Sequence, residues 1–255
     1  MSSIQQSLLD IISSCLSQTL SDPDFSSKLQ LIKHYFYHRH YSLIFTQNQD
    51  LLKVYSAEFL PHRSLAYLDL LSRLSLHHPF TLDHVLCLGA GNCAEFLALA
   101  SLRASFVHSV DQSNYHLLPL LQPFFPSTRS CFSEINLLSS DASSSLDFSK
   151  ATLVTACFLL NELYQASKSG FAKFIQHLIS QLPLNSFFLC IDSAGSFSQQ
   201  SVGSSEFMIY RFLDHLKDFE CVYSQDAQWF RCPKSLQYPL PLQNMRYFCR
   251  LYRKI

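Results

Sequence analysis

The residues best suited to chemistry lie in HVLCLGAGNCAEFLALA, from His84 to Ala100. Gly89, Gly91 and Ala94 fit the spacing G-x-G-x-x-G/A between an apolar run and a helical pattern. Glycines at such a turn let the backbone bend sharply and approach a ligand, with Leu88 and Ala90 completing the loop. About twenty residues on, Asp111 closes the apolar run SFVHSVD, where a carboxylate can accept hydrogen bonds from ribose hydroxyls. A dinucleotide and S-adenosylmethionine (SAM) both satisfy this pattern. Glu95 favours SAM. It stands where helix N-terminal amides would have to receive a pyrophosphate, and there a carboxylate suits a cofactor that carries an ammonium and a sulfonium.

The elements that must position these residues follow from periodicity. Residues 1–80 carry helical patterning and form an expected N-terminal helical extension; Pro61 is expected to kink or split the helix it interrupts. From residue 81 short apolar runs alternate with amphipathic segments, and residues 81–255 form the expected second unit. Strands are expected at HVLCLG, SFVHSVD, SCFSEINL, ATLVTACF and NSFFLCID. Helices follow from Cys93, over SNYHLLPLLQPF (broken by proline), after ATLVTACF and over SEFMIYRFLDHL. Strands alternating with helices predict a mainly parallel sheet covered on both faces. Two late strands, near FECVYS and in MRYFCRLYRK, have no long crossover between them and predict an antiparallel C-terminal hairpin. The expected fold class is therefore α/β, a Rossmann-like seven-stranded sheet of the class I methyltransferase type with an N-terminal helical extension.

The 255 residues carry no net charge and are 48% hydrophobic, which allows a large core and excludes a global basic field for nucleic acid. Any RNA contact must come from local patches. Nine scattered cysteines form no C-x-x-C pair, so they read as buried thiols of a reducing compartment, not a zinc site. His34 and His38 stand four apart, but no third ligand follows, and no metal is expected. No apolar run reaches membrane-spanning length, and the N-terminus lacks the pattern of a signal peptide. A soluble intracellular chain, monomeric and without a membrane partner, is the expectation.

Three blocks carry a family likeness: IKHYFYHRHYSLIFTQNQDLLKVYSAEFLPHRSLAYLDLL, then LCLGAGNCAE with TACFLLNELY, then the closing WFRCPKSLQYPLPLQNMRYFCRLYRKI. Together they resemble the fungal 25S rRNA uridine-N(3) methyltransferases over about residues 30 to 255. The resemblance implies a SAM-dependent enzyme that methylates N(3) of a uridine in large-subunit rRNA, with rRNA or a pre-ribosomal particle as partner and a nuclear, nucleolar or cytoplasmic location. The chain departs from the family pattern at several positions. Arg39-His40-Tyr41 replaces Arg-Asp-Tyr, Leu60-Pro61-His62-Arg63 replaces Ser-Pro-Ser-Arg, and Cys93 stands where many methyltransferases have a third glycine. Asn136 stands where an acidic residue would meet the adenine amine, which an amide carbonyl can also accept.

Asn161-Glu162-Leu163-Tyr164 follows the fourth strand, where class I methyltransferases present the acceptor base. Because N(3) of uridine is a poor nucleophile until its proton leaves, Glu162 is the expected general base. Asn161 would position the base edge and Tyr164 stack on its face. Arg39 and Arg63, with Lys33, His34, His40 and His62, are candidates for a phosphate-binding face; Arg246 and Arg250 either bind RNA backbone or guard a strand edge. Cys157 reads as core packing. The competing readings are an assembly factor without catalysis, a SAM enzyme for protein or small molecules, and, more remotely, a dehydrogenase.

Overall fold

The computed structural model describes residues 2–45, 48–139, 145–195, 200–202 and 205–255. Five helices come first: α1 (Ser2–Cys15), α2 (Ser17–Leu20), α3 (Phe25–Tyr37), α4 (Tyr41–Phe45) and α5 (Gln49–His77). Leu8, Leu9 and Ile12 form the buried stripe of α1, the apolar face that amphipathic spacing requires. The side chain of Asn48 caps α5 by accepting from the Asp50 and Leu51 N–H groups.

Helix α5 runs unbroken through Pro61, so of the kink or split expected from the sequence the split does not occur. Proline has no N–H to give to the carbonyl four residues back, which is that of Ala57. Tyr238 supplies the missing donor, its hydroxyl reaching the Ala57 carbonyl at 3.1 Å. The C-terminal segment thus repairs the helix that the sequence interrupts.

The sheet begins with β1 (Val85–Leu88), α6 (Ala94–Ser101), β2 (Phe106–Asp111), α7 (Leu118–Leu121) and β3 (Arg129–Glu134). It continues with β4 (Leu153–Cys157), α8 (Leu160–Ala166), α9 (Lys168–Gln181) and β5 (Phe187–Ser193). A small ribbon of β6 (Gln200–Val202) and β7 (Ser205–Phe207) precedes α10 (Ile209–Asp214), then β8 (Phe219–Phe230) and β9 (Met245–Lys254). The seven-stranded order is β3-β2-β1-β4-β5-β9-β8. The first five are parallel, while β9 is antiparallel to both β5 and β8. This is the seven-stranded, mainly parallel sheet with an antiparallel C-terminal hairpin that the periodicity predicts.

Two boundaries differ from the sequence expectation. Prolines 119 and 123 hold the second expected helix to one short turn, α7, and a 3₁₀ turn over Gln122–Phe124. Ser205–Phe207 pairs with Gln200–Val202 as a strand, so the helix expected from Ser205 starts only at Ile209.

Two cores cover the sheet. One joins α1, α3, α5 and α6 to one face, with Leu9, Ile12, Leu65, Phe96 and Val107 fully buried; the other packs α8, α9 and α10 around Phe171, Leu178 and Phe188 on the opposite face. Among the described residues, no helix is long and apolar enough to cross a membrane, and no cluster of His, Cys, Asp and Glu could hold a metal.

Candidate active site

The glycine turn is built from the carboxyl end of β1. Gly89 sits at φ +67°, and a Cβ there would meet Leu159 Cδ1 at 2.7 Å. The Ala90 N–H donates to the Val110 carbonyl, holding the turn against β2. Gly91 donates its N–H to Asp111 Oδ2 at 2.9 Å, and an added Cβ would lie 2.2 Å from the Tyr115 ring. Glycine is required at both positions for different reasons, backbone angle at the first and close approach at both. Cys93 keeps a left-handed φ of 63° as the residue before α6, a conformation that costs a side-chain-bearing residue about 1–2 kcal/mol. The backbone thus holds the glycine-like shape although the glycine is missing.

This turn opens on a cavity of about 410 Å³. Gly89, Asn92, Glu95, Asp111 and Asn136 line it from the sheet side, and Arg39, Tyr41, Ser42 and Phe45 close it from the helical side. Glu95 is 3% exposed, and its Oε1 has no hydrogen-bond partner. Burial pushes its carboxyl up to about 7. Burial likewise raises Asp111 to about 6, although the N–H groups of Ser113 and Gly91 pull the other way. The amide oxygen of Asn136 accepts the Leu138 N–H at 3.0 Å, so the carbonyl expected to meet an adenine amine already serves its own turn.

A second cavity of about 370 Å³ adjoins the first. The two share Tyr41, Arg63, Phe158, Glu162 and Gln165, while Lys33, Phe36, Phe59, Asn161, Asp192 and Ser193 belong to the second. Phe158 turns the chain from β4 into α8 at φ 56°, and its N–H is held by the Ile191 carbonyl. That turn sets Asn161 and Glu162 at the cavity wall. Burial pushes the Glu162 carboxyl up to about 8 and that of Asp192 to about 6. Arg63 donates to the Tyr55 hydroxyl at 2.5 Å and lies over the Phe158 and Phe59 rings, 4.6 and 5.2 Å from their centroids. It forms no ion pair with a carboxylate among the described residues.

A glycine turn, an acid at the end of β2 and two adjoining cavities at the carboxyl ends of parallel strands are the geometry of a cofactor site beside an acceptor site. The family model of SAM-dependent methyltransferases matches residues 12–122 and 111–253. The chain belongs to this family. Its cofactor is SAM. The chain is also 34% identical over 113 residues to the 25S rRNA (uridine(2843)-N(3))-methyltransferase of Saccharomyces cerevisiae, a match covering 40% of this chain and 31% of that relative. The solved structure of an rRNA methylase from Escherichia coli superposes with a TM-score of 0.52 at 16% identity, over 96% of this chain and 100% of that one, which supports the fold.

The methyltransferase brings only some of the sequence candidates together. Gly89, Glu95, Asp111, Asn136, Asn161, Glu162, Arg39 and Arg63 line one cavity or both. Leu88 and Ala90 are buried behind the turn, and Gly91 acts through its backbone. Tyr164, expected to stack on a base, lines neither cavity; its ring packs against Phe171, with the Lys168 ammonium 5.5 Å from its centroid.

Arg250, expected to face RNA or a strand edge, does neither. It is 4% exposed, pairs with Asp214 and Asp226, and lies on β9 inside the sheet. Arg246 is exposed on the same strand, opposite Trp229. His62, expected on a phosphate-binding face, is 6% exposed and pushed down to about 3 by burial, hence neutral.

Asp192 escaped the sequence reading, although it carries the same signal as Asp111, an acid closing an apolar strand in NSFFLCID. Tyr55 and Phe59 were hidden because α5 mixes polar and apolar residues around its whole circumference and is buried over most of it, so it shows no distinct functional face.

Proposed function

We propose that this SAM-dependent methyltransferase acts on N(3) of a uridine in large-subunit rRNA. The observation that carries this reading is the pair of cavities sharing one wall. The first suits SAM: Asp111 would hold the ribose hydroxyls, the unpartnered Glu95 Oε1 the amino group, and the Asn136 carbonyl, through the lone pair its own turn leaves open, the adenine amine. Bound SAM supplies a methyl group on a sulfonium, an electrophile that a nitrogen lone pair can take. The second cavity offers the rings of Phe36, Phe59 and Phe158, faces on which a base taken out of its stack can rest. A carboxyl on that wall can then take the imide proton. The Saccharomyces relative, named for the same reaction on 25S rRNA, supports the choice of base and atom.

Lys33 and Arg39 line the cavities and, with the exposed His34, His38 and His40 next to them in the chain, would meet backbone phosphates. With no net charge on the chain, an assembled pre-ribosomal particle in the nucleolus or cytoplasm is the better substrate than naked RNA. The enzyme would act as a monomer, residues 1–80 closing over residues 81–255.

The test is to incubate the protein and radiolabelled SAM with unmethylated large subunits and, separately, with their deproteinised rRNA. Digested nucleosides are then separated. Label in N(3)-methyluridine, stronger from subunits, is expected; label in another nucleoside, or in protein alone, overturns the reading.

A further inference from the structure

Two buried polar atoms on the second cavity wall make no well-formed hydrogen bond, although the Asn161 side chain and N–H lie close enough to the Asp192 carboxyl to pull its pKa down against burial. Asn161 Nδ2 is a donor and Asp192 Oδ2 an acceptor, on residues 8% and 5% exposed. The other polar atom of each side chain is fixed. Gln200 Nε2 donates to Asn161 Oδ1 at 3.1 Å, and the Ser193 N–H donates to Asp192 Oδ1 at 2.7 Å. Fixing one atom of a planar group orients the other. Leaving a buried donor and a buried acceptor unpaired is costly, and a ligand that pairs both removes the cost.

The complement of a donor beside an acceptor is an acceptor beside a donor. An imide presents that edge, a ring carbonyl next to an N–H, whereas N(3) of cytosine carries no hydrogen. Flat rings fit the cavity because Phe36, Phe59 and Phe158 line it. We propose that Asn161 and Asp192 read the imide edge of uracil in this cavity, and that Asp192 is the catalytic base for N(3). This assignment rests on the uridine reading above and names the residues that would enforce it.

In the proton step the N(3)–H bond breaks and its electron pair stays on the ring nitrogen, delocalised onto the flanking carbonyl oxygens. The proton goes to Asp192 Oδ2, turning the carboxylate into the acid, while Asn161 Nδ2–H donates to one of those oxygens. Glu162 is the alternative base, but no hydrogen bond among the described residues orients its carboxyl. The groups facing Asp192 across the cavity are Glu162, Arg63, Tyr41 and Lys33. Burial and the neighbouring Asp192 charge keep Glu162 protonated further up the pH scale than Asp192, so Asp192 is the carboxyl left ionised at neutral pH.

The experiment measures single-turnover methylation of rRNA by wild type, Asp192→Asn and Glu162→Gln, with S-adenosylhomocysteine binding measured on each. Asp192→Asn should lower the rate about 10²–10⁴-fold and leave that binding unchanged, since Asp192 is not on the cofactor cavity; Glu162→Gln should lose less than about tenfold, well below the range for a lost base. RNA containing 5-fluorouridine, whose N(3)–H is more acidic, should recover much of the Asp192→Asn loss. An Asp192→Asn rate equal to wild type overturns the assignment and leaves the uridine reading standing. Wild-type label on any other atom overturns both.

Should Asp192→Asn fail to fold, the wild-type pH profile decides. An acid limb at the same pH on uridine and 5-fluorouridine supports an enzyme carboxylate, and a limb that moves with the acidity of the substrate overturns it.

Discussion

The acids of the two cavities and the acids of the C-terminal hairpin are treated in opposite ways. Along β8, β9 and α10, Asp214 and Asp226 pair with Arg250, Glu220 with Arg253, and Asp218 with Lys254. Around the cavities Glu95, Asp111, Glu162 and Asp192 are held in low dielectric, and no cation among the described residues forms an ion pair with any of them. All four carboxyls are pushed upward, chiefly by burial. The hairpin satisfies its charges internally and so contributes to the fold. The cavities hold charge in reserve for what binds there, at a cost in stability.

This contrast can be broken first at Arg250. Arg250→Met should destabilise the protein by about 2–3 kcal/mol, because it strands Asp214 beside a buried strand; the exposure of Asp226 keeps the loss at the low end for a broken buried pair. Denaturant melts should show the loss, and SAM affinity should not change.

Gly91→Ala should lower stability and SAM affinity together. Its Cβ would meet Tyr115 and Asp111 in the ligand-free protein, an overpacking cost of about 1–3 kcal/mol in denaturant melts, and the shift of Asp111 that relieves it should weaken SAM by roughly tenfold or more in calorimetry. Tyr238→Phe should cost about 1–2 kcal/mol by leaving the Ala57 carbonyl unpaired. In a Pro61→Ala background, where an N–H returns to that carbonyl, the cost should shrink.

The smallest effect is a slope. A carboxyl whose folded pKa is raised binds protons that the unfolded chain has released. Its stabilising contribution is full below the unfolded pKa and is lost as pH rises through the folded one. For the ligand-free enzyme, melting temperature should therefore fall between about pH 6.5 and pH 8, where Glu95 and Glu162 release their protons and where His62, whose lowered pKa gives the opposite slope at lower pH, no longer titrates in either state. Glu162→Gln should flatten the upper part of that fall, whereas Glu220→Gln in the hairpin should leave it alone.

The sequence made the parallel half of this molecule legible because buried strands are continuous apolar runs and the glycine turn has one backbone purpose. Asp111 was readable from its place at a strand end, and Asp192 was equally readable by that rule. The rest depended on contacts distant along the chain. The donor that serves the Ala57 carbonyl opposite Pro61 comes from Tyr238, and whether Arg250 faces solvent is set by the strand order that places β9 between β5 and β8. Tyr164 has the right position in NELY, but the helical turn carries its ring toward Phe171. Side-chain direction within one short helix is beyond what spacing alone conveys.

The most direct test of charge held in reserve is Glu95→Gln, measured for melting temperature without ligand and for SAM affinity by calorimetry at neutral pH. Glu95 keeps a buried oxygen without a partner, so the neutral isostere should melt higher than wild type and bind SAM at least about tenfold more weakly, the worth of one charge-assisted hydrogen bond. A variant that melts lower and binds SAM as wild type does would show that the Glu95 charge serves the fold, and would contradict the account.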